Sequence, residues 1–552
     1  MDQEPEGGVA SLRARVAQAS YARLVSAWTG FVCALRPSNW GQSHAYWVFF
    51  SLLTGLALGL LWLPPLPPLV DSPSVAYSGV VLHALRGGDP FFSAWYEVRP
   101  DAVSHLAFYH AYGLLLLVLS PVAAIKLITS VAVIALPLCM RALLSAMGRS
   151  AWLSLAGFGL AFNLQLAMGY LPFCLSIPLL PLCLAWVERS RDGMSWWRVV
   201  ALFVVLAVSP YFHMLMTLLL FASVAFWVVL SQRSFKRVLV HFGVLAAATA
   251  AVVWIVPRPA GHPPRQVSHA VGTVTYSAHL DRFDGDFLNW TIHGWDTFST
   301  PLFLAAVFAT LSLTAGQGGR VQCASLWRRF CEYRSEMLAF LLFAGYMFAP
   351  TNVHYPWVAW SIDSRLTVFF GIFLVSMPRL VPSTMSQALR FAPVVVFSFF
   401  HLISLVSPFL AFSRATRGLV EVSKAIPRES TILPVFSHEY MQDAKRWRFD
   451  GFHGFLNQHL VRWSAVLSGG LQPYSFCDLS FHPLICTKQL PMPGARNPMP
   501  GVAAHAKHYE YVVLYANVPA KQKDHRGLVE KQGFEMVAES GEWTLWKRKE
   551  KE

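Results

Sequence analysis

The sequence has few charged residues for its length. Asp, Glu, Lys and Arg make up 13% of its 552 residues, whereas hydrophobic residues make up 55% and the mean hydropathy is +0.44. Soluble globular domains carry about 25% charged residues. The deficit excludes an ordinary soluble enzyme. Long apolar runs recur along the chain and predict a polytopic α-helical membrane protein, because lipid cannot satisfy free backbone N–H and C=O groups.

Several functional signatures are missing as well. The sequence contains no Walker loop, no His-Glu-x-x-His motif and no Cys-x-x-Cys motif, which argues against an ATPase and the common zinc sites. No basic stripe interleaved with aromatic residues is present, so the net charge of +14 does not indicate a nucleic-acid partner. Polar residues inside the apolar runs are few, which argues against an ion-coupled transporter. They are Lys126, Asn163, Gln165 and His213.

The positive charges instead predict the orientation of the chain in a membrane. Basic loops at 189–198, 231–237 and 320–334 are typical of the cytoplasmic side. The arginines of residues 1–43 place the N-terminus there too, and no cleavable signal pattern precedes the first apolar run. If every run crosses, the basic stretch 141–149 falls outside, so one run between 105 and 187 is not expected to cross.

We therefore predict an all-α polytopic membrane bundle of about 11–13 transmembrane helices with a small C-terminal extracytoplasmic α/β domain. In that domain YEYVVLYANV, FEMVAES and EWTLWKRK are strand-like, KDHRGLVEKQ is helical, and Ser540-Gly541 is a hairpin signal. Cys477 and Cys486 lie in the same region and pair only if it faces an oxidising compartment, which spacing alone leaves open. The expected parts are a cytoplasmic segment 1–43 whose pattern allows an amphipathic helix, a transmembrane domain 44–411 with external loops 64–104, 257–298 and 350–365, and the domain 412–552.

The stretch PPLPPLVDSPSVAYSG sets Asp71 just beyond the first apolar run. Asp-Ser-Pro is a good start for a helix, with Asp71 as its N-cap and proline in the first turn. Partial desolvation at the membrane surface would also raise the pKa of this carboxyl and suit it to accept a proton from a hydroxyl. The two interpretations are compatible, because a cap fixes the position of the carboxylate.

The rest of the first external loop combines acids with aromatic residues. The sequence GGDPFFSAWYEVRPDAVSH contains Asp89, Glu97 and Tyr96. Its aromatic rings suit the lipid headgroup layer, which favours an interfacial anchor. The alternative is a wall that binds a sugar or a headgroup.

A second acidic group lies in the loop 257–298. Asp281, Asp284 and Asp286 fall within six residues and offer oxygen ligands for a hard divalent cation. Their spacing does not match a calcium loop, so a solvated turn is the favoured interpretation and these are weak metal candidates.

The stretch NVHYPWVAWSIDSRL places His354 and Arg365 just before a late apolar run. Arg365 is expected either to reach the lipid interface or to hold the phosphate of a lipid-linked substrate, because guanidinium matches phosphate oxygens.

Taken together, these pieces resemble the GT-C superfamily of polytopic membrane glycosyltransferases, which use polyprenyl-phosphate sugars. LVDSPSVAYSG resembles their first external loop with its catalytic acid, and SIDSR resembles an arginine-bearing segment before a late helix. The run from LITSVAVIALPLCMRALL to GYLPF resembles their helix pair, and the closing YVVLY…GFEMVAESGEWTLWKR resembles the external tail of bacterial members. No Asp-Glu or Asp-x-Asp pair is present in the first loop, so the resemblance implies a metal-independent member without a cofactor.

The resemblance implies a transferase that moves a sugar from a polyprenyl-phosphate donor to an envelope or lipid acceptor on the extracytoplasmic side of a bacterial inner membrane. Asp71 would be the catalytic base, and Arg365 with His354 would hold the leaving phosphate. Expected partners are the donor, membrane lipids and a glycan, lipid or protein acceptor. Two alternatives remain, a transporter or flippase for a lipid-linked substrate and a non-catalytic envelope assembly protein.

Overall fold

The computed structural model describes most of the chain beyond residue 43. The described residues are 44–100, 102–191, 193, 195–232, 234–255, 274–275, 299–315, 330–353, 362–379, 387–436, 460–473, 482–491, 498–515 and 519–550. The chain divides into two units, Met1–Val48 and Phe49–Glu552. Of the first unit only residues 44–48, the start of a helix, are described. The predicted segment 1–43, the acidic group Asp281, Asp284 and Asp286, and His354 lie outside the described residues.

Six helices are long and apolar enough to cross a membrane, in the part of the chain that the structure describes: His44–Trp62, Pro121–Ala146, Leu171–Arg189, Met214–Ser231, Phe235–Trp254 and Leu389–Ser423. Their lengths fit the roughly 20 residues that a 30 Å hydrocarbon core requires. Shorter apolar helices accompany them.

The helical elements are numbered in chain order. They are α1 (His44–Trp62), α2 (Ser72–Arg86), α3 (Pro90–Ser93), α4 (Leu106–Leu115), α5 (Pro121–Ala146), α6 (Ala156–Ala161), α7 (Leu164–Ala167), α8 (Leu171–Ser176), α9 (Leu179–Arg189), α10 (Trp196–Phe212), α11 (Met214–Ser231), α12 (Phe235–Ile255), α13 (Ser299–Ala315), α14 (Arg334–Phe348), α15 (Ile362–Val375), α16 (Gln387–Ser404), α17 (Val406–Ser423), α18 (Trp463–Ser468), α19 (Pro498–His505) and α20 (Pro519–Lys531). A 3-10 turn, Ala151–Leu155, precedes α6.

Side-chain contacts gather the basic loops at one end of the helices. Arg189, at the end of α9, donates to the Ala142 carbonyl at 3.5 Å, and Arg149 Nη1 donates to the Met377 carbonyl at 2.9 Å. Arg237, at the start of α12, donates to the Arg191 carbonyl. The loops after α5, α9, α11 and α15 therefore share one end, which we call the basic end.

This arrangement resolves the conflict in the predicted topology. Helix α4 has only ten residues and is about 15 Å long, too short to cross the hydrocarbon core. Helix α5 then crosses and brings 141–149 to the same end as 189–198. The length of α4 agrees with the prediction that one run between 105 and 187 does not cross.

A buried ion pair ties the basic end together. Arg334, at the start of α14, donates to Glu188 of α9 through Nε at 3.1 Å and Nη2 at 2.5 Å. Trp227 of α11 donates its indole N–H to the same carboxylate at 3.0 Å. Glu188 and Arg334 are 4% and 6% exposed, so three helices meet at a carboxylate whose hydrogen bonds offset its desolvation.

Large apolar side chains elsewhere remain exposed on the outside of the helices. Examples are Val204 on α10, Leu218 on α11, Trp254 on α12 and Phe308 on α13. Exposed apolar surface of this extent marks contact with lipid or another apolar partner. The fold is thus a polytopic membrane bundle.

The C-terminal region forms a small mixed sheet. Strands β4 (Ile432–Phe436), β6 (Tyr511–Tyr515), β7 (Phe534–Ser540) and β8 (Trp543–Arg548) lie in the order β4-β6-β8-β7. Strands β4 and β6 are parallel, and the other pairs are antiparallel. Helix α20 connects β6 to β7, and Gly541, with φ +60°, forms the β7–β8 hairpin turn.

The sequence predicted β6, α20, β7, β8 and the hairpin, and these predictions are confirmed; β4 was missed. Residue 411, the predicted boundary, falls inside α17. Two short pairs complete the sheets: β1 (Tyr96–Val98) with β5 (Leu484–Cys486), and β2 (Val274–Thr275) with β3 (Asn352–Val353).

Candidate active site

The proline-rich exit from α1 is held against the bundle. Lys126, in the second turn of α5, donates from Nζ to the carbonyl of Pro64 at 2.5 Å and to that of Trp62 at 3.3 Å. The last carbonyls of a helix have no partner within it, and a lysine ammonium satisfies them well. Lys126 therefore fixes where the chain leaves α1, and this explains its place at the end of an apolar run.

Further along, the backbone around Asp71 is pinned to the turn after α7. The amides of Val70 and Asp71 each donate at 3.0 Å, to the carbonyls of Ala167 and Met168 respectively. Gly169 has φ +77°, and a Cβ on it would lie 2.8 Å from the Asp71 nitrogen. The close approach of two backbone segments thus requires a glycine at 169.

Asp71 stands at the N-cap position of α2, but its side chain makes no capping hydrogen bond. Its φ and ψ are helical, whereas capping residues usually adopt extended values. The capping interpretation is therefore wrong for the carboxylate.

Asp71 as a whole residue is partly exposed, and the residues that follow it in α2 are buried. Burial among protein atoms raises its pKa from 3.8 to about 7, although the guanidinium groups of Arg462 and Arg365 oppose that rise. A carboxyl with a pKa near neutrality is well matched to general base catalysis. This agrees with the partial desolvation that the sequence predicted.

Arg365 approaches Asp71 from α15. It is 8% exposed, and its Nη1 forms a 2.7 Å hydrogen bond with Nε2 of His213, at the junction of α10 and α11. The guanidinium lies 4.7 Å from the ring centre of Tyr170 and 5.2 Å from that of Phe173. Buried guanidinium groups over aromatic rings are held by cation–π attraction. The structure thus brings Arg365 and Asp71 to one site, although most of the helices of the bundle lie between them in the sequence.

The start of α15 is itself fixed by polar contacts. Asp363 accepts hydrogen bonds from Thr351 Oγ1 at 3.1 Å and from the Ser364 amide at 2.8 Å. Gln165 of α7 donates to Ser364 Oγ at 3.1 Å. Since α7 also holds the Asp71 backbone, one short helix positions both charged groups.

Two histidines lie beside Arg365. The rings of His105 and His213 are 5.1 Å apart. His105 adopts φ 71°, a left-handed conformation that is uncommon for residues other than glycine. Burial, with Arg365 nearby, lowers the pKa of His105 to about 3, so the ring is neutral at physiological pH. Such backbone strain is often found at functional sites.

The C-terminal region contributes two more side chains. Arg462 Nη1 donates to Ser74 Oγ at 2.5 Å, and His482 Nε2 lies 3.0 Å from Ser78 Oγ. The ring of Tyr109 lies 6.2 Å from that of His482. Sequence reasoning missed Arg462 and His482, because they sit almost 400 residues from their contacts and carry no local motif.

The first-loop candidates have separate environments. Asp89 caps α3 by accepting from the amides of Phe91 at 2.9 Å and Phe92 at 3.2 Å. Glu97 is exposed on β1. Tyr96 is buried, and its hydroxyl lies 3.3 Å from that of Tyr77 on α2. The role predicted for each as a substrate-binding residue stays a prediction, and Asp89 has a structural task that accounts for it.

Among the described residues, no three His, Cys, Asp or Glu side chains are grouped in a way that could hold a metal ion. The acidic residues Asp281, Asp284 and Asp286 are outside this set, as is Cys477. Cys486, the partner that the sequence suggested for Cys477, is disulfide-bonded.

The bundle with its appended sheet shares its fold with a solved structure. ArnT from Cupriavidus metallidurans, solved bound to undecaprenyl phosphate, matches 91% of this chain and 98% of its own, with a TM-score of 0.52 and 12% sequence identity. That likeness shows the fold alone. No protein-family model and no curated protein matches the sequence.

Proposed function

We propose that this chain is an integral-membrane glycosyltransferase that transfers a sugar from a polyprenyl-phosphate donor to a hydroxyl acceptor. The observation that carries the proposal is the meeting of Asp71 and Arg365 beside the turn after α7. One is a carboxyl whose pKa lies near neutrality, and the other is a buried guanidinium. The shared fold with ArnT, which was solved with undecaprenyl phosphate, supports a lipid-linked donor.

In the proposed reaction, Asp71 accepts the proton of the acceptor hydroxyl. The acceptor oxygen then attacks the anomeric carbon of the donor, and the bond from that carbon to the phosphate oxygen breaks with inversion. Negative charge develops on the departing polyprenyl phosphate. Arg365 stabilises this charge, since a guanidinium donates parallel hydrogen bonds to phosphate oxygens and keeps its own charge.

Neutral histidines suit the same site. His213 bonds to Arg365 and orients the guanidinium, and the ring of His105 lies 5.1 Å from that of His213. Neutral rings here add no charge that would repel the guanidinium. His354, the third candidate on this side, remains a predicted phosphate ligand. The sequence assigns no role to a metal in this chemistry.

We place the site on the extracytoplasmic side. The arginines at 149, 189, 191, 237, 334 and 379 share the basic end, and the positive-inside rule puts that end in the cytoplasm. Tyr170 and His213 lie at the opposite ends of the same helices, and Asp71 is bonded there through its amide to the Met168 carbonyl. An envelope or lipid acceptor would therefore reach Asp71 from the periplasmic or outer side.

The test is a transfer assay with purified protein in proteoliposomes and a radiolabelled polyprenyl-phosphate sugar. Wild type is expected to release polyprenyl phosphate and label an acceptor, and Asp71→Asn to lower the rate by about 10²–10⁴-fold, the usual contribution of a general base. Asp524→Asn is the matched control, because that carboxylate is exposed on α20. Movement of the labelled lipid across the membrane without transfer would instead favour a flippase, and an inert protein would favour an assembly role.

A further inference from the structure

A segment of the C-terminal region lies along the face of α2 that begins at Asp71. Residues three or four apart in a helix share a face, and Asp71, Ser74 and Ser78 follow that spacing. Ser74 is contacted by Arg462 and Ser78 by His482, so both side chains come to this face from the tail.

This segment is fastened to the first external loop by backbone pairing. Strands β1 and β5 are antiparallel, with Tyr96 opposite Cys486. Arg99 adds two bonds, from its amide to the Pro483 carbonyl at 2.8 Å and from its Nε to the His482 carbonyl at 2.9 Å. The tail is therefore held in place beside Asp71.

Arg462 is 5% exposed, and a buried guanidinium requires a compensating partner. Its hydrogen bond to Ser74 places the guanidinium one turn from Asp71 on the same face of α2. Arg462 also acts electrostatically on the Asp71 carboxyl. A buried cation and the carboxyl on which it acts thus lie side by side at this point.

Several other groups face Asp71. Arg365 acts on it from α15, and the Tyr109 hydroxyl acts on it from α4. Arg365 is also engaged with His213 and with the rings of Tyr170 and Phe173. Of the two arginines, Arg462 has the larger electrostatic effect on Asp71.

We propose that Arg462 is the positioning residue for Asp71: it orients the carboxyl, holds it in the ionised form and so makes the C-terminal tail part of the active site. This inference rests on the proposed function. It divides the two guanidinium groups by task, since Arg462 serves the base and Arg365 serves the leaving group. The histidine that accompanies it, His482, is neutral, because burial lowers its pKa to about 3.

The test compares three variants with wild type in one host. Arg462→Gln removes the charge, Arg462→Lys keeps it, and Arg428→Gln removes an exposed arginine from the same region as a control. Two readouts are used. One is the pH–rate profile of sugar transfer. The other is infrared titration of the protonated carboxyl band that Asp71→Asn removes, which needs no substrate.

In Arg462→Gln we expect the acid limb of the rate and the infrared midpoint to move together to higher pH by about one unit or more. One unit corresponds to about a tenfold lower rate on the acid limb, with recovery at high pH. Arg462→Lys should restore most of the wild-type midpoint, and Arg428→Gln should not change it.

An unchanged infrared midpoint in a folded Arg462→Gln protein would overturn the inference, as would equal rate loss at every pH. If wild type transfers no sugar but the midpoint still moves, the positioning role stands and the transferase proposal fails. If Arg462→Gln does not fold, the comparison of Arg462→Lys with Ser74→Ala, which removes the anchor of Arg462, decides by the same midpoint.

Discussion

At the scale of single residues, Asp71 shows how a membrane protein obtains a base that works at neutral pH. Burial pushes its pKa up, and two arginines pull it part of the way back, to about 7. An unassisted buried carboxyl would stay protonated and could not accept a proton. An exposed one would be ionised but weakly basic. The balance of desolvation and charge gives a carboxyl that can be ionised near neutral pH and is still basic enough to accept a proton.

This balance predicts how activity depends on pH. A base must be ionised to act, and a raised pKa keeps it protonated at low pH. Transfer should therefore fall about tenfold per pH unit below about pH 7 and level off above it. The pH dependence of kcat/KM, measured with a neutral acceptor, checks this. A flat profile from pH 5 to 8 would contradict the assignment of Asp71 as the base.

The same carboxyl predicts the effect of pH on stability. Because its folded-state pKa is raised, the native state binds more protons than the unfolded state between about pH 4 and 7, and stability falls as pH rises through that range. Asp71→Asn should therefore raise Tm at pH 8 and have little effect near pH 4. Thermal unfolding in detergent at both pH values measures this, and equal shifts at both would argue against a buried ionisable group.

Arg365 gives a prediction for the donor. Replacing it by Gln removes a charge-assisted contact to phosphate, so we expect KM for the lipid donor to rise and kcat to fall, together about 10²-fold or more in kcat/KM. Arg86→Gln is the control, because Arg86 is exposed on α2. Steady-state kinetics at saturating acceptor measure both, and donor binding that does not change in Arg365→Gln would count against its phosphate role.

At this scale the sequence singled out Asp71 and Arg365, which the structure brings to one site. A carboxylate after the first apolar run and an arginine before a late one are visible as charges that interrupt hydrophobic segments. The sequence could not predict that Arg462 and His482 belong to the site, because their environment is created by tertiary packing of a polar region against α2. A polar stretch offers no contrast by which one arginine stands out.

At the scale of elements, the bundle builds the site from broken helices. The apolar run 151–168 looks continuous in the sequence, but the chain turns at Phe162 and again after Met168. Asn163 starts α7 by accepting from the Leu166 amide at 3.0 Å. The sequence predicted an apolar segment but not its breaks, because hydrophobicity reports burial and carries little information on short turns inside it.

The turn at Gly169 gives a paired prediction. Gly169→Ala meets both an unfavourable φ and a Cβ within 3 Å of the backbone nitrogens of Asp71 and Ser72. Gly88→Ala meets the same φ of +77° with nothing within 4 Å. Strain from φ alone costs about 1–2 kcal/mol.

We therefore expect Gly88→Ala to lower Tm slightly and leave transfer intact. Gly169→Ala should lower Tm more and reduce transfer at least tenfold, because Asp71 must move. Thermal unfolding and the transfer assay on both variants decide this. Equal behaviour of the two would mean that the close approach at Gly169 does not position Asp71.

At the scale of the whole molecule, the two ends of the bundle have different tasks. The basic end is locked by the Glu188–Arg334 ion pair and the Trp227 indole, far along the helices from Asp71. The other end gathers the charged groups of the site and receives the tail. The distribution of positive charge predicted which loops share an end, because Lys and Arg in short loops determine the orientation of membrane helices. The charge pattern could not predict that the C-terminal tail packs against α2.

The Glu188–Arg334 ion pair at the basic end predicts that removing one partner lowers the stability of the protein. Arg334→Met removes the nearest cation from the buried Glu188 carboxylate, which Arg191 at 3.5 Å and the Trp227 indole replace only in part. Breaking a buried pair costs up to about 3–5 kcal/mol. Lys424→Met is the control, because its pair with Glu421 is exposed, with side-chain exposures of 67% and 57%. We expect a large fall in Tm for Arg334→Met and little change for Lys424→Met. A double variant, Glu188→Leu with Arg334→Met, should recover part of the loss.

The measurement that tests the central claim most directly is a cryo-EM structure of the protein with a polyprenyl phosphate bound. The account predicts that the phosphate lies within hydrogen-bond distance of the Arg365 guanidinium, with the isoprenoid chain extending between helices into lipid. It also predicts that Asp71 lies across from the phosphate, with room for a sugar between them. A phosphate bound at the basic end, or at Arg365 with Asp71 sealed away from it, would contradict the account.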